Sequence, residues 1–162
     1  MISNKDKKAL IKGISNYLMN GCADIESFED PVSEVVDYLN ALFSIDIGLA
    51  EDMCKKTLKT KHVDSSFFKA LCLNDLLLSE SEWSFAFNYL LNETENVSIP
   101  ELEKALFYFY CAKNETDPYP VPEGLFKKLM ERYEELKNEP DAKFYHLNET
   151  YNDFVKAYSL SH

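Results

Sequence analysis

Asp30-Pro31-Val32-Ser33-Glu34-Val35-Val36-Asp37-Tyr38-Leu39-Asn40-Ala41-Leu42-Phe43 decides the fold class of this chain. It opens on an acidic side chain placed to accept free first-turn N–H groups. A proline follows, and its fixed φ suits the first helical position. Behind these, Val32, Val35, Val36, Leu39, Leu42 and Phe43 recur at helical spacing and share one face. Such a stripe must be buried against another element, so the stretch predicts helix packed on helix.

The same reading extends in both directions. Upstream, Leu10, Ile11, Ile14, Tyr17 and Leu18 form a stripe that Gly21 is placed to stop. Downstream, Asp46 is expected to cap a third helix with Ile47, Ala50, Cys54 and Leu58 inward and Lys55, Lys56 and Lys59 near its end, where cations suit the dipole. Asp64 begins a fourth segment carrying Phe67, Phe68, Leu71, Cys72 and Leu76. Ser79 with Glu82, and Ser98 with Glu101, both read as capping boxes. The first leads to Trp83, Phe87, Leu90 and Leu91, the second to Leu102, Leu106, Phe109 and Tyr110. Pro118, Pro120 and Pro122 mark a long loop. A long amphipathic helix with Leu125, Leu129, Tyr133 and Leu136 ends near Pro140, and a last helix spans residues 141–160 with a break near Asn148.

About eight helices joined by short connections imply antiparallel hairpins in an all-α chain, taken as one domain over residues 1–162. Grouped as 31–60, 65–92 and 99–138, the hairpins suit an irregular HEAT-like stack or a compact helical bundle. Four glycines in 162 residues are too few for the tight turns of a sheet-rich fold.

Composition narrows the function classes. Twenty-eight acids against 17 bases give a net charge of −11, which repels nucleic-acid phosphates and anionic lipid surfaces and attracts basic partners. No apolar run approaches the ~20 residues of a membrane span, and no leader-like segment opens the chain. Cys22, Cys54, Cys72 and Cys111 are widely spaced without a C-x-x-C pair, as expected of free thiols in a cytoplasmic protein.

Catalytic, cofactor and metal signatures are missing. The sequence has no P-loop, G-x-G-x-x-G, G-x-S-x-G or H-E-x-x-H, and His62, His146 and His162 are scattered. Residues 92–103 superficially resemble a calcium loop through Asn92, Thr94, Asn96 and Glu103. Val97 stands where that loop needs glycine, so the stretch reads better as a helix start. The expectation is a protein with neither enzyme activity nor cofactor.

Charge segregation is the most informative feature. From Gly13 to Cys54 there is no Lys or Arg, yet Asp24, Glu26, Glu29, Asp30, Glu34, Asp37, Asp46, Glu51 and Asp52 all fall there. Either this is a solvated face or a preformed negative surface that steers a positively charged partner. Residues 119–156 interleave lysines with their acids and this stretch does not, which favours a binding face. Glu34 and Asp37, three apart on a helix, are expected to share a face opposite or beside the apolar stripe. Tyr38, beside Asp37 at the margin of the apolar stripe, is the aromatic expected to join the surface. Tyr17, Tyr89, Tyr119 and Tyr158 are further candidates for surface edges.

In size, acidity and helix layout the chain resembles the helical immunity proteins of bacterial contact-dependent inhibition and related polymorphic-toxin systems. The Asp30-Pro31-Val32-Ser33-Glu34-Val35-Val36-Asp37-Tyr38-Leu39 opening and the hairpins around residues 64–78 carry the resemblance. It implies binding to a toxin domain, often a basic nuclease, by occluding its active site, and it transfers no individual functional residue. The competing expectations are a helical scaffold or adaptor docking a basic protein or peptide, and an acidic mimic of DNA.

Overall fold

The computed structural model describes residues 4–61, 63, 65–114, 121–122 and 124–159. Asp64, the prolines 118 and 120, Tyr119, His62, His162 and Leu160 lie outside them. The described residues form nine α-helices, one single-turn 3-10 helix and no strand, so the chain is all-α as its periodicity predicts. They fall into two compact units, Met1–Asp75 and Leu76–His162.

The first unit is built on α1 (Asn4–Asn20), α2 (Pro31–Ile45) and α3 (Ile47–Lys59), with α4 (Ser66–Leu77) beginning in it. The predicted start signals hold. The Asp30 carboxylate accepts the Ser33 N–H at 2.9 Å ahead of Pro31, and Asp46 accepts the Leu49 N–H at 3.1 Å. Lys7, in the second turn of α1, reaches the same Asp46 at 3.3 Å. Since Asp46 follows the last turn of α2, α1 and α2 run antiparallel. α1 packs on α2; Ile14, Tyr17 and Leu18 of α1 and Val35, Leu39 and Leu42 of α2 are all buried, and the Tyr17 ring sits edge-on to Phe68 of α4 at 5.3 Å. α4 is opened by Ser65, whose hydroxyl accepts the Phe68 N–H at 3.1 Å.

Cys54 and Cys72 are fully buried between α3 and α4, and all four cysteines are free thiols. Pairing with Cys72, then burial, drives the Cys54 thiol far above its ordinary pKa, so it behaves as core rather than as a nucleophile. Asp75 is pushed up to about 6 by burial. Its folded pKa lies above the unfolded value, so the stability it contributes is complete below about pH 4 and is lost as pH rises through 6. Asp75→Asn should therefore stabilise the protein at pH 7.5 by about 1 kcal/mol, after allowance for contact with water, and not at pH 4. Thermal melts at the two pH values check this, and an equal shift at both would refute it.

The second unit centres on α6 (Ile99–Asn114), which packs most extensively on α9 (Leu147–Ser159) and less on α7 (Leu125–Leu136). The hairpins thus do not pair strictly in chain order. Phe109 and Leu106 of α6 and Phe154 of α9 are fully buried. The capping box at Ser98 is present. Glu101 accepts the Ser98 N–H at 2.7 Å and the Ser98 hydroxyl at 2.8 Å. The box expected at Ser79 is not. The Ser79 hydroxyl pairs with Ser81, and α5 (Trp83–Glu93) opens at Glu82 with no side-chain cap bond. Ser79 instead serves through its carbonyl, which accepts the Glu82 and Trp83 N–H groups in a turn. The last predicted helix divides into α8 (Pro140–Phe144) and α9, and the break expected near Asn148 falls at His146, whose φ of 57° is left-handed.

Candidate functional site

The acidic stretch splits into two groups at opposite ends of the α1–α2 hairpin, separated by a helix of 15 residues, or about 22 Å. The far group has local work. Asp46 is held below the usual carboxylate range by the Leu49 N–H and by Lys7. Asp52 pairs with Lys55 at 3.4 Å, and Glu51 is buried on α3. These three therefore do not join a common exposed face with the others.

The near group is assembled by the connection between α1 and α2. Gly21 ends α1 at φ 83°, a left-handed conformation that a side chain would strain, and its N–H bonds the Tyr17 carbonyl at 2.8 Å. Ala23 is buried, and its carbonyl accepts the Asn16 amide at 3.4 Å. Asp24 then folds the next residues around itself, accepting the Glu26 N–H on its carboxylate and the Ser27 N–H on its carbonyl. The Ser27 hydroxyl accepts the Glu29 N–H at 3.1 Å, and Asp30 closes the connection as the α2 cap. Short polar bonds of this kind fix a segment that has few apolar contacts of its own.

Asp24, Glu26, Glu29 and Asp30 are exposed, as is Asp37 on α2. Between the acids stand two side chains that sequence reasoning missed. Ile25 is 86% exposed and Phe28 106% exposed. Met19 is a third exposed apolar group, at the end of α1. A cavity of about 470 Å³ opens at the base of the connection, lined by Tyr17, Leu18, Met19, Asn20, Gly21, Pro31, Val32 and Ser65.

Glu34 departs most from expectation. Read as sharing an exposed face with Asp37, it is only 6% exposed. It lies one turn before Tyr38 on the same row of α2, and Tyr38 lies against α1 at Gly13. That row faces α1 because a glycine lets the helices approach, and Glu34 is carried inward with it. Its carboxylate forms no ion pair or side-chain hydrogen bond among the described residues. Burial, then the charges of Glu34, Asp24 and Glu29, raise the Tyr38 phenol above its ordinary pKa.

Of the other candidate tyrosines, Tyr17, Tyr89 and Tyr158 have structural roles. Tyr17 is core, Tyr89 donates to Glu101 at 2.6 Å, and Tyr158 donates to the Phe109 carbonyl at 3.1 Å. Among the described residues no group of three or more His, Cys, Asp or Glu side chains could hold a metal. The positions of residues 92–103 are engaged otherwise. Asn96 donates to Glu93, Thr94 donates to the Leu90 carbonyl, and Glu103 accepts from Thr150. No described helix is long and apolar enough to cross a membrane.

No protein-family model matches the chain, and no curated protein sequence matches it.

Proposed function

We infer that this protein binds and neutralises a basic protein partner, in the manner of the immunity proteins it resembles. The partner fitted best is a toxin domain of the nuclease type. The observation that carries the reading is the exposed Asp24, Glu26, Glu29 and Asp30 set around Ile25 and Phe28 on a hydrogen-bonded connection. A nuclease must offer a cationic cleft to phosphate, and a fixed acidic projection is a direct competitor for that cleft. Apolar side chains amid the acids favour a protein surface over simple mimicry of a phosphate backbone, since they supply contact area that charge alone does not.

This reading predicts a gene for a basic toxin domain immediately upstream, and the test uses that domain. Replacing Asp24 and its neighbours (Asp24→Asn/Glu26→Gln/Glu29→Gln) should slow association about tenfold at 50 mM salt, with the difference fading by 500 mM as screening shortens the field. Glu139→Gln/Asp153→Asn, on the second unit, should leave the rate unchanged. Stopped-flow association rates decide it. A triple variant that associates like wild type at every salt concentration sinks the reading.

A further inference from the structure

We propose that the cavity at the base of the α1–α2 connection is a docking site for a large apolar side chain of a basic partner, presented next to lysine or arginine. Met19 on its wall, and Ile25 and Phe28 on the connection that borders it, complete the surface. This rests on the partner being a basic protein, as inferred above, and goes further by naming what the partner inserts and where.

The cavity measures about 470 Å³, and its wall includes Leu18, Met19, Pro31 and Val32. That volume lies within the roughly 300–1,000 Å³ of pockets that hold organic groups, so it admits an aromatic ring or a branched aliphatic side chain. The chain leaves the wall at Gly21 and returns to it at Pro31. Phe28 therefore stands within three residues, or about 11 Å, of the wall, and Ile25 within four, or about 14 Å. Neither folds inward. Phe28 is 106% exposed, Ile25 is 86% exposed, and Met19 on the wall itself is 75% exposed. The bonds that Asp24 and Ser27 make to the Glu26 and Glu29 N–H groups fix this outward arrangement. Large apolar side chains beside a preformed hollow are what interface hot spots use, with anchors and pockets meeting across the contact.

Charge decides the occupant. Asp24, Glu26, Glu29 and Asp30 are exposed on the same connection, and no lysine or arginine lies between Lys12 and Lys55. A second copy docked about a two-fold axis would set these acids against their own counterparts. An anionic lipid surface is repelled in the same way. An apolar side chain flanked by cations suits both the hollow and the acids beside it. The acids choose the partner, and the apolar surface holds it.

Three synthetic peptides of equal length test the site: Lys/Phe, with phenylalanine flanked by lysines, Lys/Ser, with serine in its place, and Glu/Phe, with glutamate replacing lysine. Binding to the full chain is followed by methyl NMR at about 1 mM peptide, where a Kd of that order gives half saturation. Lys/Phe should shift the Met19 and Val32 methyl signals and leave Val155, on α9, unmoved. It should bind at least tenfold tighter than either Lys/Ser or Glu/Phe, a comparison that leaves the protein unaltered. Met19→Ser/Phe28→Ser changes only exposed side chains, so it should melt like wild type yet lose at least tenfold for Lys/Phe. Against the toxin domain it should speed dissociation and leave association unchanged, the reverse of the charge variant. Equal binding of Lys/Phe and Lys/Ser, or no shift at Met19 and Val32, overturns the docking site and leaves the acidic-surface reading standing. So does a Met19→Ser/Phe28→Ser protein that dissociates like wild type while Asp24→Asn/Glu26→Gln/Glu29→Gln associates slowly. Glu/Phe binding as tightly as Lys/Phe overturns the choice of a basic occupant. Should both variants behave as wild type toward the toxin domain, both readings fail. A dimer of the free protein that Phe28→Ser dissolves, seen by sedimentation, would assign the surface to a second copy and overturn the proposal.

Discussion

Glu101→Ala is expected to cost about 3–4 kcal/mol, because one buried carboxylate closes three hydrogen bonds at once. Glu101 is 2% exposed. One of its oxygens takes the Tyr89 hydroxyl at 2.6 Å, and the other takes both the Ser98 N–H and the Ser98 hydroxyl. Truncation leaves the Ser98 N–H ahead of α6 and the Tyr89 phenol without acceptors, at half-buried positions that water reaches only in part. The Tyr89 phenol reports on that environment, since burial first, and then the charge of Glu101, hold its pKa far above the ordinary value. Glu101→Gln keeps the shape but turns one acceptor oxygen into a donor, so about half the penalty should remain. In a chain of this length the alanine variant should melt about 8–15 °C lower than wild type. Calorimetry of the two variants checks the order, and an alanine variant within 2 °C of wild type would show that the box does not hold α6.

That box also marks how far the sequence could be read. Asp30-Pro31, Asp46 and Ser98 with Glu101 announce helix starts through side chains that act within three residues, and all three act as expected. Ser79 with Glu82 carries the same signature and fails, because the chain forms a turn there through the Ser79 carbonyl. A capping motif states what is locally possible, and the following turn decides whether it is used. The break before α9 has no strong local signal, since its left-handed position is taken by His146 and not by the glycine that usually marks one.

The candidate site was legible as charge and hidden as geometry. The lysine-free run from Gly13 to Cys54 was visible, but its division into two ends of a hairpin depends on the antiparallel return of α2 onto α1. Glu34 looked exposed because Asp37 three residues later shares its side of the helix, and only the approach at Gly13 shows which edge of that side turns inward. Ile25 and Phe28 carried no periodic signal, as they lie between helices. An apolar side chain in a connection is read as a core contact until the fold leaves it in water.

Gly13→Ala provides the complementary test, because two effects of opposite sign act on one methyl group. In an ordinary helix interior the substitution stabilises by about 1 kcal/mol. At Gly13 the added Cβ would overlap the Cδ2–Cε2 edge of the Tyr38 ring, and ring atoms held against a backbone cannot yield as a lysine tip can. Overpacking of this kind costs about 1–3 kcal/mol, so the net change should be destabilising by up to about 2 kcal/mol. The sign should reverse once the ring is gone. In a Tyr38→Ala background, Gly13→Ala should regain its ordinary helical advantage, giving a coupling of about 1–3 kcal/mol between the positions. Urea denaturation of the four proteins in the cycle measures it. Additive free energies in the cycle would mean that α1 and α2 adjust freely at this contact, and that Gly13 does not set the depth at which Glu34 sits.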